Sequence, residues 1–194
     1  SALVRFCIAA TNLYYLFYYC VSERKMTFLS LMHTCALCSG FGTGSAVWLA
    51  GKVFAHVIAR NPSLLHGRSV LELGSGTGVL GICCALSCMA TTTAESESSK
   101  RQCQFQRLCL TDYLAPVLQN LKHNAQVNGL VLRDESLLGS PLADDENNQT
   151  EPVIEVQHLN WGKCKRFPLH EFNTIIAADV VADPLAAQLL VKLL

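Results

Sequence analysis

Residues 70–78, Val70-Leu71-Glu72-Leu73-Gly74-Ser75-Gly76-Thr77-Gly78, set the tightest limit on what this chain can fold into. An apolar run carries one acid, glycines follow at alternate positions, and a helix-like run then begins. That order predicts a buried strand, a tight turn and a helix N-terminus. Backbone without Cβ atoms lets a ligand come close, and a helix start offers N–H groups that have no partner within the helix.

Three readings of this turn follow from its residues. A dinucleotide site needs glycines against a pyrophosphate and has no use for a carboxylate two residues before the first glycine. A site for S-adenosylmethionine holds an ammonium group and a sulfonium cation, and the carboxylate of Glu72 suits both. Gly76, Gly78 and Gly81 nevertheless spell G-x-G-x-x-G, the dinucleotide fingerprint. The third reading is a glycine turn with no ligand. The position of Glu72 favours the methyl donor.

At 194 residues the chain is long enough to bury a core as one domain. Its formal net charge is zero with no Lys/Arg block, which argues against binding nucleic acid by phosphate neutralisation. Charged residues make up 15% and apolar ones 51%, a balance that suits a parallel sheet covered on both faces. Ten cysteines show no even framework, so a reducing, cytoplasmic setting is expected. Cys35-Ala-Leu-Cys38 has no second pair at zinc-ribbon spacing, and no metal site is expected. Asn148-Gln149-Thr150 matches a glycosylation sequon but lacks a secretory context.

Residues 2–21 are apolar and aromatic, interrupted by Arg5, Thr11 and Asn12. They make a marginal membrane span, and a strand or an interfacial segment fits them equally. The reading therefore sets residues 1–41 aside as an apolar N-terminal segment and assigns 42–194 to the domain. Ser1 at one end and Leu194, inside an apolar helical pattern, at the other are read as the ends of a fragment, truncated on its C-terminal side.

Within the domain, apolar spacing predicts a helix over 45–60, ended by Asn61-Pro62. Strands are expected over 69–73, 106–111, 153–159 and 173–181, and helices over 78–87, 115–128 and after Pro184. Polar stretches at 90–104 and 133–151 read as loops. Strands alternating with helices predict an α/β, Rossmann-like, doubly wound parallel sheet, with ligand over the carboxyl ends of the strands.

Polar or aromatic residues stand at each of those ends. Asp112, after the second strand, can accept both ribose hydroxyls or can serve only as a turn residue. Trp161 can pack on an adenine face, with Asn160 at the adenine edge, or can be a rim aromatic. Trp48 lies on an apolar helical face, which by pattern belongs to the core. Asp179 ends an apolar strand and needs a partner there: a substrate ammonium or a hydrogen bond to a neighbouring loop. Methyl transfer needs no protein nucleophile. The donor is already activated, and alignment carries much of the rate.

These motifs, in order Gly44-Ser45-Ala46-Val47-Trp48, the glycine stretch, Leu110-Thr111-Asp112-Tyr113, Leu159-Asn160-Trp161 and Ile176-Ala177-Ala178-Asp179-Val180-Val181, resemble those of the seven-β-strand protein-lysine methyltransferases. Within that methyltransferase-like group, the translation elongation factor 2 lysine methyltransferases are the most similar. The resemblance implies that Trp48, Gly74, Ser75, Gly76, Asp112, Trp161 and Ala178 contact S-adenosylmethionine, beside Glu72 from the reading of the turn, and that Asp179 opens the motif that faces the substrate amine as the catalytic residue. It implies a protein substrate bearing the acceptor lysine, such as a translation factor. The family motif Asp-x-x-Tyr carries Ala182 here in place of the tyrosine, and Leu49 stands where the family often has Asp. The alternative function, a cofactor-fold remnant that binds without transferring methyl, rests on Ala182. A dinucleotide-dependent oxidoreductase is the third.

Overall fold

The computed structural model describes residues 5–9, 44, 46–65, 67–90, 105–134, 152–164 and 167–194. Its centre is one parallel sheet of five strands in the order β1-β5-β2-β3-β4. The strands are β1 (Arg5–Ala9), β2 (Ser69–Leu73), β3 (Arg107–Asp112), β4 (Val153–His158) and β5 (Thr174–Ala178). Four helices accompany them: α1 (Leu49–Arg60), α2 (Val79–Ala90), α3 (Ala115–Val127) and α4 (Pro184–Leu193). The doubly wound α/β architecture read from the alternating pattern is present. The Cys35–Cys38 pair, the Tyr-rich run and the sequon lie outside the described residues.

β2 and β3 are buried over nearly their whole length, which is why they read as apolar runs rather than as alternation. Val70, Leu108, Leu110 and Ile176 face α1, α2 and α3 in one core, with Phe54, Ile58, Ile82 and Leu121. Leu71, Leu73, Cys109, Ile175 and Ala177 face the other way, into a second core with Phe172, Leu159 and Leu190 of α4. Successive side chains along a strand thus serve opposite layers, as the pleat requires.

The order of strands creates the switch point. β2, β3 and β4 run outward in sequence, and β5 then returns to the free side of β2. Residues 5–9, which the sequence reading placed ahead of the domain, add an edge strand parallel to β5, with Arg5 beside Thr174 and Ala9 beside Ala178. β5 stops at Ala178 rather than running to 181, because Asp179 leaves the extended region with φ +56°. α1 starts at Leu49 rather than at 45, and α2 continues to Ala90.

One buried ion cluster holds the β3–β4 pair. The Glu155 side chain is fully buried and accepts from Arg107 Nε (3.1 Å) and Nη2 (2.9 Å), Arg133 Nη1 (2.9 Å) and Gln157 Nε2 (2.9 Å). Arg107 also donates to Glu171 at 2.7 Å and lies over the Phe172 ring, 4.7 Å from its centroid. Two guanidiniums on one carboxylate are tolerable only while the carboxylate is present. Glu155→Ala is expected to destabilise the fold by about 3–5 kcal/mol, read as a lower urea midpoint at unchanged slope.

Candidate functional site

The strand ends meet around the glycine turn. Gly74, Gly76 and Gly78 have φ of +62°, +54° and +86°, in the left-handed region that glycine enters without steric cost. The turn is held from β3. The Ser75 N–H donates to the Thr111 carbonyl (2.8 Å), the Thr111 N–H donates back to Ser75 Oγ (3.1 Å), and Thr111 Oγ1 donates to the Glu72 carbonyl (2.6 Å). Asp112 closes the set: its Oδ2 accepts from the Gly76 N–H at 3.1 Å. Its Oδ1 accepts from the N–H groups of Tyr113 (2.7 Å) and Leu114 (3.3 Å). From the α3 side, Asn124 Nδ2 donates to the Thr77 carbonyl at 2.8 Å.

Glu72 lies beneath this turn, 3% exposed, on the side of α2. A Cβ on Gly81 would collide with its Oε2 and with Leu110. The third glycine of the G-x-G-x-x-G pattern therefore makes room for the Glu72 carboxyl under α2, a packing need that holds whatever ligand binds. Burial pushes the Glu72 pKa up to about 8, opposed by the Ser75 side chain and the Gly81 backbone and assisted by the Asp112 charge. Oε2 has no hydrogen-bond partner among the described residues. Burial also raises the neighbouring Cys83 thiol to about 11, with the Glu72 charge adding to the effect. That thiol is a buried hydrophobe rather than a nucleophile.

The wall facing the turn is apolar. A Cβ on Gly74 would lie 2.8 Å from Val180 Cγ1 and 3.9 Å from Trp161 Cζ2, so Val180 and Trp161 close over Gly74. Asn160 Oδ1 accepts from the Gly162 N–H at 3.0 Å, which holds the turn that presents Trp161. Across the switch point, Asp179 Oδ2 accepts from the Ala50 N–H at 2.9 Å. Ala178 lies beside α1, its Cβ 4.0 Å from where a Cβ on Gly51 would be.

The sequence-derived residues thus take different places. Gly74, Gly76, Asp112 and Trp161 surround one turn. Ser75, 7% exposed, turns its hydroxyl to Thr111, and Glu72 is packed below the turn. Trp48 is 45% exposed, which corrects the core position its helical spacing suggested. Asp179 has a protein partner, but it is the Ala50 N–H in the first turn of α1 rather than a neighbouring loop. Val180, Thr111 and Asn124 were missed. Only Thr111 carried a signal, as a polar residue inside an apolar strand. Among the described residues no group of His, Cys, Asp and Glu could hold a metal, and no helix is long and apolar enough to cross a membrane.

The comparisons with known proteins place the chain in a family. The family model described as lysine methyltransferase matches residues 38–194. The human putative protein N-methyltransferase FAM86B1 is 30% identical over 168 residues, 86% of this chain and 44% of its own length. The human protein-lysine N-methyltransferase EEF2KMT is 29% identical over 168 residues, with the same coverage of 86% and 44%. The mouse protein N-lysine methyltransferase METTL21A is 26% identical over 141 residues, 72% of this chain and 49% of its own length. The chain spans less than half the length of these relatives.

The Glu72 pKa gives a pH test. A carboxyl that is harder to ionise when folded contributes stability that is complete below its unfolded pKa near 4.5 and is lost as pH rises to about 8. Glu72→Gln is expected to remove this loss. Relative to wild type, the variant gains stability between pH 5 and 8, on the order of a few kcal/mol at the upper end, in denaturant titrations across that range.

Proposed function

The chain belongs to the lysine methyltransferase family, and on that premise we propose that it binds S-adenosylmethionine at the β2–β5 switch point and transfers methyl to a lysine of a protein substrate. The observation that carries the reading is the clamp between Asp112 and the Gly76 N–H. It sets a carboxylate against a glycine turn at the carboxyl ends of two adjacent parallel strands. Three backbone N–H groups occupy part of that carboxylate, and two oxygens offer about four lone-pair sites, so capacity remains for a ribose hydroxyl. Trp161 and Val180, which pack over Gly74, would supply an apolar wall against which a planar base could lie.

S-adenosylmethionine would supply a methyl group already activated on a sulfonium. The residues here would bind and orient it: Asp112 the ribose, Trp161 and Ala178 the walls, and Gly74 and Gly76 a close-approaching backbone. Trp48 would cover the far side from the start of α1. Glu72 supports the turn from below rather than touching the ligand. Its carboxyl fills the space that Gly81 leaves under α2, so packing accounts for the third glycine of the dinucleotide-like pattern without a pyrophosphate. The name of EEF2KMT suggests a translation factor as the protein substrate.

The second reading, a protein that binds the donor without transferring methyl, is favoured by Ala182, exposed and without a hydroxyl where the resemblance has tyrosine. Calorimetric titration with S-adenosylhomocysteine, with NAD as control, tests the shared premise. Binding of the adenosyl ligand alone is expected, and NAD binding alone overturns the proposal. Asp112→Ala is expected to weaken the adenosyl ligand by about 1–3 kcal/mol, and unchanged affinity removes Asp112 from the site. Transfer of labelled methyl to extract proteins then separates enzyme from binder.

A further inference from the structure

We infer that Asp179 is a positioning residue: its hydrogen bond to the Ala50 N–H fixes the start of α1 and thereby the position of Trp48, the residue at the N-cap of that helix. The inference rests on the cofactor reading above and assigns Asp179 a role through α1 rather than on the substrate amine.

α1 lacks a cap of its own. Trp48 occupies the N-cap position with φ −85° and ψ 150°, and its side chain makes no capping bond. The first N–H groups of a helix have no partner within it, and an indole offers no acceptor. The acceptor for Ala50 instead comes from 129 residues away, on the far side of β5. A carboxylate there also meets the positive end of the helix dipole.

Asp179 takes this position at a cost. Among the described residues it is the one non-glycine with positive φ, at +56°. Left-handed backbone is unfavourable for an L-residue, less so for Asp and Asn, and persists where the surroundings demand it. Here the conformation ends β5 and turns the carboxylate toward α1.

The chain before α1 is held at a second point. A Cβ on Gly76 would lie 3.2 Å from the Gly44 carbonyl oxygen, and one on Gly44 would lie 2.9 Å from Val117 Cγ2. Gly44 therefore lies on the glycine turn after β2, while Ala50 is tied to the residue after β5. β2 and β5 are the neighbours that define the switch point. Residues 46–48 connect these two anchors and end at the half-exposed Trp48. Releasing the Asp179 anchor frees the end of this strap that carries the indole.

The test compares Asp179→Asn with Asp179→Gly. Asn keeps a side-chain oxygen acceptor and tolerates left-handed backbone, whereas Gly keeps the backbone and removes the acceptor. Three readouts are taken: S-adenosylhomocysteine affinity, hydrogen exchange of the Ala50 amide, and fluorine resonances after 5-fluorotryptophan labelling, which reports on Trp48 and Trp161 alone. Asp179→Asn is expected to stay within about threefold of wild type in affinity and in Ala50 protection. Asp179→Gly is expected to lose about tenfold in both, with the Trp48 resonance losing its ligand-induced shift while that of Trp161 keeps it.

If Asp179→Asn loses affinity as fully as Asp179→Gly while keeping the Ala50 protection, Asp179 acts on the ligand through its charge and not through α1, and the inference is overturned. It is equally overturned if Asp179→Gly keeps the Ala50 protection and the Trp48 response. If wild type binds no S-adenosylhomocysteine, the cofactor reading fails by itself. The clamp is then judged on Ala50 protection and the Trp48 resonance position in the free protein, both of which Asp179→Gly must change for it to stand.

Discussion

The carboxylate of Asp112 is the interaction on which the site depends. The glycine turn has left-handed backbone at three positions and few side chains of its own to hold it. Its order is imposed from β3, through the reciprocal bonds of Ser75 and Thr111 and the acceptance of the Gly76 N–H by Asp112. Because β2 and β3 pair in register from Ser69 beside Arg107 to Glu72 beside Leu110, the turn inherits the rigidity of the sheet. A binding loop fixed in this way loses little further entropy when a ligand arrives.

The same turn carries an unusual burden underneath. A carboxyl in the apolar layer between β2 and α2 is costly to ionise, and its partners there lower that cost only in part. Gly81 exists in that form because any side chain would strike Glu72 and Leu110. Strand, turn and first helical residues therefore constrain one another sterically, which explains why the motif reads so strongly in sequence. It also explains why the motif resembles a dinucleotide fingerprint, since the third glycine answers to helix–strand packing in both cases.

Most of the fold was legible because period and punctuation agreed. β2, β3, β4 and α3 sit within a residue or so of where apolar runs, Pro116 and Asn128-Gly129 placed them. The end of β5 was not legible. Val180 and Val181 continue the apolar character past Asp179, and nothing local marks Asp179 as a left-handed residue whose partner is on α1. Trp48 was misplaced for a related reason: helical spacing reports which face a residue shares, not whether a tertiary neighbour covers it. At the site, sequence named residues near the turn but not which of them face outward. The burial of Glu72 and Ser75 depends on α2 and β3 closing over them, a property of packing and not of spacing.

The strand order has a consequence for how the chain assembles. β5 lies between β1 and β2, yet it follows both in sequence. Among the described strands β1 therefore has no neighbour until β5 has been made and inserted, and β2 keeps one open edge while β3 and β4 are already able to pair on the other. Contacts between elements so far apart in sequence form slowly, since the connecting chain must lose its freedom first. During that interval the unpaired edge of β2, a strand buried over nearly its whole length in the finished fold, is exposed to pairing with other chains. The insertion of one short strand, Thr174–Ala178, thus ends the stage at which this protein is most exposed to aggregation.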